Sequence, residues 1–263
     1  MSPARLSHYR FLATAALLFA ASTAVTIVWC GSMSGTEGMP MPGGWRMSMA
    51  WMRMPGQTWA QAAATFLGMW IVMMAAMKLP SLVPMLQRYR EAVSAADAAR
   101  LGRLTALVAL AYFCVWSLLG MAAFPLGAAL ATLEMRQPSL ARAVPVAIAL
   151  VVLLAGALQF SAWKARHLAC CREHPGCCDP LPADGGSAWR HGLRLGLHCS
   201  ACCAGLMAIL LVMGVMDLGA MAAVAVAITA ERLAPAGQRV ARFTGAVAVL
   251  AGCIMLARAV LPD

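Results

Sequence analysis

The chain has 263 residues, 62% of them hydrophobic and 11% charged, with a formal net charge of +10. A soluble domain averages about 45–50% apolar and about 25% charged residues, so this composition excludes an ordinary water-soluble fold and makes lipid the solvent for most of the surface. The basic residues sit in short clusters beside apolar runs, a pattern that points to membrane topology and away from nucleic acid.

A helix needs roughly 20 apolar residues to cross a bilayer. In chain order the predicted spans lie near 11–30, 59–79, 104–124, 144–163, 193–213, 217–231 and 242–261. Pro80 and Pro84 are expected to end the second. The fifth and sixth share one apolar stretch, Leu193 to Ala230, whose charges are Arg194 at its start and Asp217. That stretch is too long for a single crossing and is broken at Gly214–Gly219, where glycine and Asp217 permit a turn. The expected fold is all-α, a polytopic transmembrane helical bundle of about seven spans forming one integral membrane domain over residues 1–263. Six spans is the alternative, with Gly219–Ala230 re-entrant or interfacial.

Lys and Arg mark the cytoplasmic side. Arg5 and Arg10 precede the first span. Arg88, Arg90, Arg100 and Arg103 follow the second. Lys164, Arg166, Arg172, Arg190 and Arg194 follow the fourth, and Arg232, Arg239 and Arg242 precede the last. Seven spans with a cytoplasmic N-terminus put every cluster on one side, whereas six would move the last cluster outside. The first apolar run is longer than a signal-peptide core and lacks a clean cleavage site, so it is expected to remain as a helix.

Sulfur is the unusual chemistry, with 20 Met and 10 Cys. The loop 31–56, extracytoplasmic on this topology, carries Met33, Met39, Met41, Met47, Met49, Met52 and Met54. Thioethers suit Cu(I) and survive where thiols would oxidise. The plainer reading of this loop is methionine as flexible apolar filler. Met69, Met73 and Met77 recur at i, i+4 and i+8 on the second span beside Trp70 and Met74. Such a stripe is more often a packing seam than a ligand path. Lys78, at its cytoplasmic end, is expected to snorkel to the headgroups.

The cysteines gather on the other side. Cys170, Cys171, Cys177 and Cys178 fall in the inner loop 164–192, and Cys199, Cys202 and Cys203 on the first turns of the fifth span, with His198 at the edge. Positions i, i+3 and i+4 share a helix face, so these thiols form one patch near the cytoplasmic boundary. Reduced thiols and imidazole there would serve Cu(I), zinc or iron. The spacing matches no standard zinc or iron–sulfur signature. Packing of Cys as a small apolar residue is the competing reading and suits Cys114 and Cys253 well. Asp217 lies at the turn with Met213, Met216 and Met221, where an acid is either a functional group or a helix cap. Gln159 is placed to hydrogen-bond across helices, and Glu231–Arg232 reads as an interfacial pair.

Two blocks carry a family resemblance. The first is Trp70-x-x-Met73-Met74-x-Ala76-Met77-x-x-Pro80. The second runs from Ala155-Gly156 through Gln159, Lys164, Cys170-Cys171-Arg172 and Gly196-x-x-Cys199-x-x-Cys202-Cys203. It continues through Leu206-Met207 and Gly214-x-Met216-Asp217-Leu218-x-x-Met221 to Glu231. Over Trp59–Pro235 the chain resembles the bacterial family of predicted metal-binding integral membrane proteins, domain of unknown function 2182. The resemblance implies a multi-pass protein of the bacterial inner membrane that binds metal, and implies no particular reaction. Lys78 departs from it, since a methionine is usual there. So do Asp217, often asparagine, Arg232, often lysine, and Ala204, often aromatic.

The expected function is a metal-binding membrane protein that handles Cu(I), by transport or by delivery to a metalloenzyme. The metal set comprises Met39, Met41, Met47, Met49, Met52, Met54, Met73, Met77, Met213, Met216, Asp217 and Met221 with Cys170, Cys171, Cys177, Cys178, His198, Cys199, Cys202 and Cys203. The expected partners are the lipid bilayer, a metalloenzyme or metallochaperone, and further subunits in a homo- or hetero-oligomer. The alternative is a redox or assembly subunit of a larger membrane complex. Of His8, His167, His174, His191 and His198, only the last falls in a predicted span, which argues against paired haem ligation. No nucleophile–base constellation, phosphate loop or paired carboxylates support an enzyme.

Overall fold

Long apolar runs leave the backbone no partner but itself, and almost every run becomes a helix. The computed structural model describes residues 3–34, 38–93, 97–172 and 182–261. The elements are α1 (Pro3–Ser34), β1 (Met39–Met41), β2 (Trp45–Met47), α2 (Trp59–Ala92), α3 (Ala98–Arg136), α4 (Pro138–Leu158), α5 (Ala162–Arg172), α6 (Gly185–Met213), α7 (Leu218–Leu233) and α8 (Gly237–Val260).

Local chemistry sets several boundaries. Thr58 and Gln61 start α2 with a reciprocal capping box: Gln61 N–H donates to Thr58 Oγ1 at 3.2 Å, and Thr58 N–H to Gln61 Oε1 at 2.8 Å. The helix then runs through Pro80 and Pro84 to Ala92, past the expected stop. Proline is tolerated in a long helix of this kind because packed neighbours can re-satisfy the freed carbonyls. The expected break at Gly214–Gly219 is present. Gly214 ends α6 at φ +129°, and the Asp217 carboxylate accepts from Ala220 N–H at 2.8 Å to cap α7.

Six helices, or segments of them, are long and apolar enough to cross a membrane: Arg5–Ser32, Trp59–Ala92, Ala98–Arg136, Pro138–Leu158, Gly185–Met213 and Gly237–Val260. The remaining predicted span, the sixth, is α7. It has 16 residues, which at 1.5 Å per residue rise ~24 Å against a hydrocarbon core of ~30 Å. The inner loop of the sequence reading contains structure of its own, namely α5 and the early start of α6 at Gly185.

The bundle has two distinct ends. At one, the hairpin pairs Met39 with Met47 and Met41 with Trp45, and Trp45 Nε1 donates to Ala141 O at 2.8 Å. At the other, arginines tie the helix ends together. Arg90 donates to Ser7 Oγ (2.8 Å), Arg88 to Arg172 O (2.9 Å) and Arg100 to Ala183 O (2.6 Å). Between the ends, α3 and α6 approach closely because Gly192 and Gly196 have no side chain. A Cβ on Gly192 would strike the Val108 carbonyl, and one on Gly196 would lie 2.9 Å from Val115 Cγ2. That approach brings Tyr112 of α3 to the thiols of α6.

Candidate functional site

Cys199, Cys202 and Cys203 fall on one face of α6 and are buried, as is Cys171 of α5. All are unbridged thiols. Tyr112 Oη lies 2.8 Å from Cys199 Sγ. Cys199 and Cys203 belong to one buried cluster and Cys171 and Cys202 to another, and the Arg232 guanidinium reaches a thiol of each. The neighbouring Cys202 thiol holds Cys171 below the usual thiol range; burial opposes this, and the Arg232 charge reinforces it.

Three buried cations surround this sulfur. Arg232 of α7 donates to Cys203 Sγ at 3.5 Å and Cys171 Sγ at 3.7 Å, and reaches Met85 Sδ at 3.9 Å, while its Nε has no partner. Lys78 of α2, fully buried, donates to Met207 Sδ at 3.6 Å and sits 4.2 Å from the centre of the Trp116 ring. Lys164 of α5 bonds Glu231 Oε2 at 2.6 Å and Cys202 O at 2.7 Å, and Gln159 Nε2 donates to Glu231 Oε1 at 3.1 Å. Two expectations are thereby corrected. Lys78 does not snorkel outward, because sulfur and an indole face receive it inside the bundle. Glu231 and Arg232 do not pair with each other at an interface: Glu231 takes Lys164, and Arg232 turns to the thiols.

Among the described residues, Lys78 and Arg232 therefore have no carboxylate partner. A buried charge needs compensation, and here the nearest groups able to become anions are the thiols. Among the described residues no three His, Cys, Asp or Glu side chains converge as a metal-holding group. Cys171 and Cys202 fall in one buried cluster and Cys199 and Cys203 in another, and two thiols suffice for two-coordinate binding of a soft ion. Two thiolates and one Cu(I) carry a single net negative charge, which a neighbouring guanidinium would balance.

At the opposite end the methionines divide. Met49, Met52 and Met54 line a cavity of about 80 Å³ with Met69 of α2, Met216 of the α6–α7 turn, Trp29 and Phe66. Met69, Met73, Met221 and Cys30 then line an adjoining crevice. One continuous buried cluster contains Met69, Met73, Met74, Met77, Met207, Met221, Cys199 and Cys203. Met47 and the exposed Met213 face a different cavity, between α3, α4 and α6. Met39 is exposed and Met41 half-buried on the hairpin. Asp217 is exposed and its carboxylate is engaged in capping. Cys170 is exposed; Cys177 and Cys178 lie outside the described residues.

Several site residues are not evident from the sequence: Tyr112, Met85, Met207, Arg232 as a hydrogen-bond donor to sulfur, and His167. The His167 and His198 Nδ1 atoms are 3.2 Å apart across α5 and α6. Burial, then the neighbouring His198 and Arg166, hold His167 below the ordinary imidazole range. A faint signal existed, since His167–Cys171 and His198–Cys202 share the spacing His-x-x-x-Cys.

Fold and site together define a helical bundle of membrane-spanning dimensions built around soft sulfur donors. A family model described as PpoB2, copper chaperone, matches residues 67–255, and the chain belongs to this copper chaperone family. Its function is accordingly copper-related. No curated protein and no solved structure matches the chain.

Proposed function

We propose that this chain is an integral membrane copper chaperone that gathers Cu(I) at its methionine-lined end, holds it on the inner thiols and passes it to a metalloenzyme. The observation that carries the reading is the reach of the buried Arg232 guanidinium to Cys203, Cys171 and Met85, with Cys199 and Cys202 buried in the clusters on either side. Thiolate and thioether are soft donors that select Cu(I). The arginine-tied end faces the cytoplasm by the positive-inside rule, placing the N-terminus inside and the methionines outside. A cytoplasmic face keeps the thiols reduced, while thioethers tolerate the oxidising side.

The test is copper analysis of purified protein after anaerobic Cu(I) loading. The wild type is expected to hold stoichiometric copper resistant to a competing chelator, and Cys199→Ser/Cys202→Ser/Cys203→Ser to lose it. Retention of copper by the triple variant would remove these three thiols from the mechanism. A wild type that takes up no copper would end the proposal.

A further inference from the structure

The thiols lie inside the bundle, and copper held there must reach a partner outside. The buried pair Cys171 and Cys202 has a neighbour one helical turn away. His167 precedes Cys171 by four residues on α5, and His198 precedes Cys202 by four on α6. Positions i and i+4 stack on one helix face. The two imidazoles meet at 3.2 Å between their Nδ1 atoms, and the two thiols share one buried cluster. The helices thus present two matched rungs. The thiol rung is buried, whereas both histidines are half-exposed. Trp163 packs edge-on against His167, with ring centres 4.7 Å apart, limiting its motion.

We propose that His167 and His198 form a second, outward copper site, a two-imidazole port through which Cu(I) passes between the buried thiols and a partner protein. Imidazole nitrogen binds copper but is a harder donor than thiolate. A port of this kind holds the ion more weakly than the centre it serves, as transfer in either direction requires. Movement from one rung to the next is ligand exchange, with no change in the oxidation state of the metal.

This inference rests on the copper-chaperone reading, and its test separates the two. Full-length protein is loaded anaerobically from a chromogenic Cu(I)–bicinchoninate complex, and uptake is followed by loss of the complex's colour. The double variant His167→Ala/His198→Ala is expected to reach wild-type stoichiometry several-fold more slowly. Copper X-ray absorption supplies a second readout. In Cys171→Ser/Cys202→Ser, where the inner rung is removed, imidazole scattering should appear, and it should vanish when both histidines are also replaced. His167→Gln/His198→Gln guards against a packing effect of the smaller side chain and should match the alanine variant. Wild-type uptake kinetics in both histidine variants, or no imidazole scattering in the serine variant, would overturn the port and leave the thiol centre standing. Absence of copper from the wild type would overturn both.

Discussion

The two ends of the bundle are both rich in sulfur and are built on opposite electrostatic principles. At the hairpin end, the cavity lined by Met49, Met52 and Met54 offers thioether sulfur and has no charged residue in its lining. The arginine-tied end offers thiols, and sets Arg232 and Lys78 beside them. A neutral thioether needs no counter-charge and can release a cation readily. A thiolate needs one, and once it has one it holds a soft cation in a neutral, desolvated seat. On the proposed function, the first end captures copper and the second retains it.

The sharpest way to break the retaining end is to strip its buried acid, Glu231. Glu231→Ala leaves Lys164 buried without its partner and should destabilise the protein by roughly 3–5 kcal/mol, read as a lowered midpoint of denaturation in detergent. A midpoint within error of wild type would mean that the Lys164–Glu231 pair is not holding α5 to α7. Lys78→Met comes next. Replacing an unpaired buried cation by a near-isosteric apolar chain should stabilise the protein by about 1 kcal/mol. It should also weaken Cu(I) retention against a chelator, because one charge balancing the thiolates is gone. Gain of stability with unchanged retention would show that Lys78 plays no part in charge balance. The smallest expected effect is at the capturing end. Met49→Leu/Met52→Leu/Met54→Leu conserves volume, so each change should cost under about 1.5 kcal/mol. Copper acquisition at limiting supply should fall, while the copper capacity of the thiols stays intact. If capacity falls with it, the two ends are one site.

Periodicity made much of this legible. The apolar runs gave the helices, and Gly214 with Asp217 gave the α6–α7 turn, because both signals are local. The cysteine face of α6 was equally readable from its spacing. Features set by tertiary contact were hidden. Snorkelling is a sound rule for a lysine near a helix end, but whether Trp116 and Met207 stand ready to receive it depends on α3 and α6. His167 and His198 are 31 residues apart in the chain, and only the folding of α5 against α6 reveals the pair. The hairpin was missed because each strand has three residues, too few for an alternation to register.

The shortness of α7 has a consequence for the surrounding lipid. One face of this helix, at Ala222, Ala223 and Val226, is exposed, and its ~24 Å rise falls short of a ~30 Å hydrocarbon core. In a bilayer such hydrophobic mismatch is relieved by local thinning. The thinned patch would lie beside the helix that carries Glu231 and Arg232. Headgroups and water would then dip toward the thiol centre, shortening the distance over which a partner must reach for its copper.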